Sequence, residues 1–224
     1  MRFGVGNAGR QRVAPAVLLA VLVTGCSGAD GETAGEAAGR SATATATAEP
    51  ARRGATVGAA GSACELPVTF DTARSWKAEA VDAGQAGESG GDLAELADAV
   101  LHQGPVTMVC EIDAKPAGHI GFLRVWTGRP GDAGPREVLA AFVAAGEDAS
   151  EEKYRTFTSG DVTGTEVEYL TTSEALDEPK KERALAVVTA DGPVVLHLGG
   201  LDSQEHEEML PAYELARDTL RTTA

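Results

Sequence analysis

The sequence predicts an α+β domain in which a mostly antiparallel sheet is covered by helices. Three observations carry that expectation: apolar residues alternate with period two in several short runs after residue 63, an Asp-Gly turn joins two of those runs, and apolar stripes at helical spacing stand before, between and after them.

Leu66, Val68 and Phe70 alternate with Pro67, Thr69 and Asp71, the pattern of a half-buried strand. Trp76 to Val81 reads as strand or loop, and the acidic, Gly-rich stretch from Asp82 to Asp92 as a surface loop. Asp92 then caps a helix predicted from Leu93 to His102, with Leu93, Leu96, Val100 and Leu101 on one face and Glu95 at the reciprocal capping position. Val106, Met108, Cys110 and Ile112 alternate, and after the Pro116-Ala117-Gly118 turn Ile120 to Thr127 is apolar on both faces except Arg124, so the two runs read as a hairpin whose second strand is central. Pro135 sits in a first helical turn, with Val138, Leu139, Phe142 and Val143 as its stripe. Tyr154 to Phe157, Thr165 to Thr171, Arg183 to Thr189 and Pro193 to Leu198 read as strands, the last two joined through Asp191-Gly192. A final helix is predicted from Gln204 to Thr222, with Met209, Tyr213, Ala216 and Leu220 inward, Asp202 and Glu205 as a capping box, and Pro211 kinking its early turns.

Composition narrows the class. In 224 residues, 34 acids oppose 19 bases for a net charge of -15, and the three cysteines are too few for a disulfide-dense miniprotein. Long apolar spans are missing after the first 25 residues, which excludes a helical polytopic membrane protein. The acidic balance also argues against nucleic acid as a partner, since phosphate binding requires a basic surface.

Arg2, Arg10 and Arg12 precede the apolar run Val13 to Val23, the charge and length pattern of a secretory signal occupying residues 1–25. The ending Leu22-Val23-Thr24-Gly25-Cys26 resembles the bacterial lipobox, which implies diacylation of Cys26 and a two-chain anchor on the outer, extracytoplasmic face of the cell membrane. A plain signal peptide that leaves Cys26 free is the alternative. Residues 26–62 are Ala, Gly, Thr, Ser, Glu and Pro with almost no large apolar group, so they are expected to be a disordered linker; as a coil, the 36 residues after Cys26 reach about 30 Å. The charge divides accordingly, with 6 bases and 4 acids up to residue 62 against 13 and 30 in the domain expected over residues 63–224.

The order of elements, with Trp76, the Gly164 to Tyr169 stretch and Glu208-Met209-Leu210-Pro211 ahead of Tyr213, resembles the PsbP-like α/β/α sandwich carried by actinobacterial lipoproteins of LpqN type. That resemblance implies a partner-binding or accessory module without naming the partner.

Candidate chemistry is sparse. Gly4 to Gly9 matches a dinucleotide fingerprint but lies in the removed signal, and Gly87-Glu88-Ser89-Gly90-Gly91 matches a nucleophile elbow without the buried strand that must precede it. His206 stands between Glu205 and Glu207, but adjacent helix residues diverge and cannot chelate together, so a solvated helical turn is expected there. His197 reads as a strand histidine bonded to a neighbour, with ligand or general base as the sharper reading. Arg124 must pair with an acid or face a cleft, and a pocket is sought beside Arg124 and His197. Cys64 and Cys110, an even pair in an exported domain, are expected to form a disulfide, with two buried reduced thiols or a redox pair as the alternative. No catalytic residue, metal or cofactor is assigned. The expected role is a monomeric, membrane-anchored binding or accessory module for an envelope protein or small ligand; an extracytoplasmic hydrolase using Ser89 or His197, or a structural envelope component, are the alternatives.

Overall fold

Val194, Val195 and Leu196 are consecutive strand residues with no exposed surface, so both faces of the strand that holds them are covered. The computed structural model describes residues 49–82, 84, 95, 99–146, 148–172 and 178–223. Their strands are β1 (Arg53–Val57), β2 (Val68–Ala73), β3 (Lys77–Ala80), β4 (His102–Gln103), β5 (Val106–Asp113), β6 (Gly121–Thr127), β7 (Asp148–Ser159), β8 (Val162–Thr172), β9 (Pro179–Thr189), β10 (Gly192–Gly200) and β11 (Arg221–Thr222). The helices are a short 3-10 turn at Lys115–Ala117, α1 (Pro135–Ala144) and α2 (Ser203–Asp218).

The main sheet runs β3-β5-β6-β10-β9-β8-β7, with β4 paired to β5, and β1-β2-β11 form a second, smaller sheet. Every strand pair is antiparallel. The fold is therefore α+β and mostly antiparallel. Side chains alternate across the main sheet, and each face has its own core. Ile112, Leu123, Leu185, Val187 and Leu196 meet Met209, Tyr213 and Ala216 of α2 and Phe70 of β2 on one side. Met108, Trp126, Val167, Tyr169, Ala186 and Val195 meet Val138, Leu139, Phe142 and Val143 of α1 on the other.

Gly192 closes the β9-β10 hairpin at φ 122, and a Cβ there would stand 2.2 Å from the Gly128 carbonyl oxygen. No L side chain fits that turn. The disulfide between Cys64 and Cys110 is formed, with 5.9 Å between their Cα atoms, and ties the chain ahead of β2 to β5.

Several elements depart from the sequence reading. Arg53–Val57, expected inside the linker, form an edge strand whose Val57 is only 1% exposed, because pairing with β2 satisfies a backbone that composition alone leaves unexplained. Of the helix expected over 93–102, Glu95 and residues 99–101 are helical while His102 already belongs to β4; Gly84 is helical where a loop was expected, and the remainder lies outside the described residues. The strand expected at Tyr154 to Phe157 extends over all of β7, an edge strand too polar for an apolar alternation to show its length. Helix α2 stops at Asp218, not Thr222, as Arg221 and Thr222 pair with β2.

Candidate functional site

Two strands carry the site. In the β9-β10 register His197 stands opposite Ala184 and Leu198 opposite Arg183, which brings Glu182 close to His197 on the α1 side. Gly199 follows Leu198, and a Cβ there would come within 3.4 Å of both Glu182 Oε2 and His197 Cε1. That is ordinary van der Waals distance, so Gly199 borders the pair without holding it apart or together. His197 Nε2 lies 2.8 Å from Glu182 Oε2, and Lys180 Nζ lies 2.7 Å from Glu182 Oε1. Phe142 of α1 meets the His197 ring edge to face, with centroids 5.6 Å apart.

Glu182 is 3% exposed, and burial alone would favour its protonated form; the His197 and Lys180 charges and hydrogen bonds outweigh that and hold the carboxyl below its ordinary value. Burial first, then the Glu182 charge, push the Tyr169 phenol well up, so it stays a neutral hydroxyl across the physiological range. These groups line a cavity of about 190 Å³ together with Gln103, Val143, Gly146 and Thr171. Thr171 is 7% exposed, and its Oγ1 has no hydrogen-bond partner. A buried hydroxyl without a partner costs about 1–3 kcal/mol, and a ligand in the cavity could relieve that cost. A wider depression of about 680 Å³ between His102 and Arg129 is lined largely by Gly104, Pro105, Val106, Gly128 and neighbouring threonines, a poorer set of converging charges.

Arg124 is the cross-strand neighbour of His197, but the cavity opens on the Glu182 side of that histidine. The expected pocket beside Arg124 is thus displaced by a strand: Arg124 Nε pairs with Glu111 Oε2 at 2.9 Å, and its guanidinium covers the Phe122 ring at 4.8 Å. Glu182, Lys180 and Thr171 escape sequence reasoning because their convergence depends on register between strands. Cys26 and Ser89 lie outside the described residues.

On the α2 side a second buried polar group is charge-paired, although Glu166 Oε1 and Arg183 Nε make no hydrogen bond among the described residues. Glu166, 1% exposed, pairs with Arg155 at 2.7 Å and Arg217 at 3.5 Å, with Arg183 at 3.9 Å, and Arg183 also pairs with Glu168. His206, expected in a solvated turn, is 2% exposed with no partner for Nδ1, because α2 turns that position toward the sheet. Burial lowers its pKa to about 4. His119 reaches Glu205 and Glu208 of α2, with Nδ1 3.0 Å and 3.9 Å from their carboxylates.

The family model that matches residues 34–220 is described as an uncharacterised lipoprotein. The chain belongs to this lipoprotein family. Membership accords with a lipid anchor. No helix among the described residues of the lipoprotein is long and apolar enough to cross a membrane. No curated protein matches its sequence.

Proposed function

We propose that this lipoprotein is held by acylated Cys26 on the outer face of the cell membrane and acts there as a non-catalytic binding or accessory module. Its ligand seat is the cavity beside Glu182 and His197. The observation that carries the reading is the buried, unpartnered Thr171 hydroxyl in a cavity whose other polar groups, Lys180, Glu182 and His197, are already fixed in place. Its volume of about 190 Å³ falls below the ~300–1,000 Å³ of sites for drug-sized molecules, so a small polar ligand fits. Helices on both faces of the sheet support the PsbP-like likeness, a fold that serves accessory roles. The actinobacterial origin rests on that likeness and the lipobox.

A photo-crosslinker at Gln103, beside the cavity, tests this in the native envelope. Capture of a small molecule lost on Glu182→Gln supports the seat, whereas labelling unchanged by that substitution removes it.

One observation favours a second reading. A histidine oriented by a buried carboxylate is the base half of a nucleophilic dyad. Hydrolysis of ester, peptide or glycoside substrates that disappears in His197→Ala or Ser89→Ala would make the lipoprotein an enzyme.

A further inference from the structure

We propose that His119, Glu205 and Glu208 form a binding site for a divalent cation of zinc type, apart from the cavity at Glu182. Glu205 and Glu208 stand three residues apart on α2 and share a face, while His119 arrives from the turn ahead of β6. One ligand atom from each residue lies within 4.8 Å of the others, and the His119 pairs are closer, at 3.0 Å and 3.9 Å. Zinc holds nitrogen and carboxylate oxygen at about 2.0–2.2 Å, which places its donors about 3–4 Å apart, so small side-chain rotations complete the set.

The two elements are tied together before any ion arrives. The Leu201 amide donates to the Ile120 carbonyl at 3.0 Å, and the Ile120 amide donates to Glu205 Oε1 at 3.0 Å. Glu205 therefore abandons the capping role expected of it. Asp202 alone caps the helix, accepting from the Glu205 amide at 2.8 Å, and the Glu205 carboxylate is aimed at His119 instead. A backbone donor on a ligating carboxylate fixes its orientation, as the outer shell of a metal site requires.

Independently of that geometry, His119 and Glu208 open onto a cleft of about 310 Å³ that they share with Arg52, Arg74 and Trp76. Three protein donors, two of them lining a cleft, leave coordination positions for water or an anion, the arrangement of an open rather than a closed metal site. A nitrogen donor beside two carboxylates favours zinc over magnesium, which prefers all-oxygen shells. The ion takes the Nδ1 lone pair, so the bound ring is the neutral tautomer with its hydrogen on Nε2.

Zinc titration of the detergent-solubilised full chain against a chromogenic chelator tests the site, with magnesium in a parallel titration. The expected result is one zinc per chain, no magnesium competition, and at least tenfold weaker zinc binding in His119→Gln and in Glu208→Gln, with Glu207→Gln unchanged because Glu207 is bonded to Lys181. Circular dichroism checks each variant; Glu208 is half exposed, so its substitution keeps a folded protein even where the His119 change does not. No zinc uptake by the wild type, equal magnesium binding, or unaltered affinity in the His119→Gln/Glu208→Gln double variant would each overturn the proposal.

Discussion

Glu182 Oε2 and His197 Nε2 meet 2.8 Å apart, and a Cβ added at Gly199 would stand in van der Waals contact with both side chains, 3.4 Å from each. A methyl at position 199 is therefore tolerated beside the pair, and only a longer side chain would compete with it for space. Gly199→Leu would extend beyond that Cβ against the carboxylate and the ring, two of the groups that line the cavity. We expect a folded but less stable domain, with a loss of about 1–2 kcal/mol in chemical denaturation, because the His197 hydrogen bond is lost while Lys180 still pairs with Glu182.

Thr171→Val replaces the unpartnered hydroxyl by a methyl of similar shape. Free protein should gain about 1 kcal/mol, because a buried polar atom without a partner is removed. Ligand occupancy should drop in the same variant. Denaturation and binding measured side by side check both signs, and a destabilised variant would show that Thr171 is already satisfied in the free protein.

His206 sets an acid limit. Its folded pKa of about 4 lies below the ordinary 6.5, so the unfolded chain binds more protons between those values and stability falls as pH drops through that window, by a total on the order of 3 kcal/mol. Glu182, also depressed, contributes stability that is present above its ordinary value near 4.5 and lost below it. His206→Leu should flatten the slope between pH 6.5 and 4 and leave the steeper loss below it, as read from urea midpoints.

The cystine is legible in the sequence and has a measurable effect. Cys64 and Cys110 are 46 residues apart, and removing both should cost about 4 kcal/mol in the chain-entropy model. Thiol labelling of the denatured, unreduced protein should find neither sulfur free.

Strand β5 was legible from its apolar alternation, and β6, β9 and β10 from short runs that are apolar on both faces. Edge strands were not. Arg53–Val57 is exposed at four of five positions and held by backbone pairing, which composition does not encode. Arg124 shows the same limit at the site: that a strand cation must find a partner was clear, but only the β5-β6 register brings Glu111 to it. Thr171 and Lys180 carry no sequence signal at all, since they gain meaning by pairing across β8 and β9.

Glu166 is the pivot of the α2 side. Replacing it by Ala would leave Arg155, Arg183 and Arg217 around an empty position, with an expected loss of about 3–5 kcal/mol. Thermal unfolding of Glu166→Ala beside an Arg155→Ala control, whose cation is largely exposed, checks the asymmetry.

Binding at the Glu182 cavity is tested most directly by native mass spectrometry of the full-length lipoprotein extracted from its own membrane in mild detergent. The wild type should carry a small-molecule adduct that is missing from Thr171→Val and Gly199→Leu. A wild-type protein without an adduct, or the same adduct on all three, would contradict the binding role assigned to this cavity.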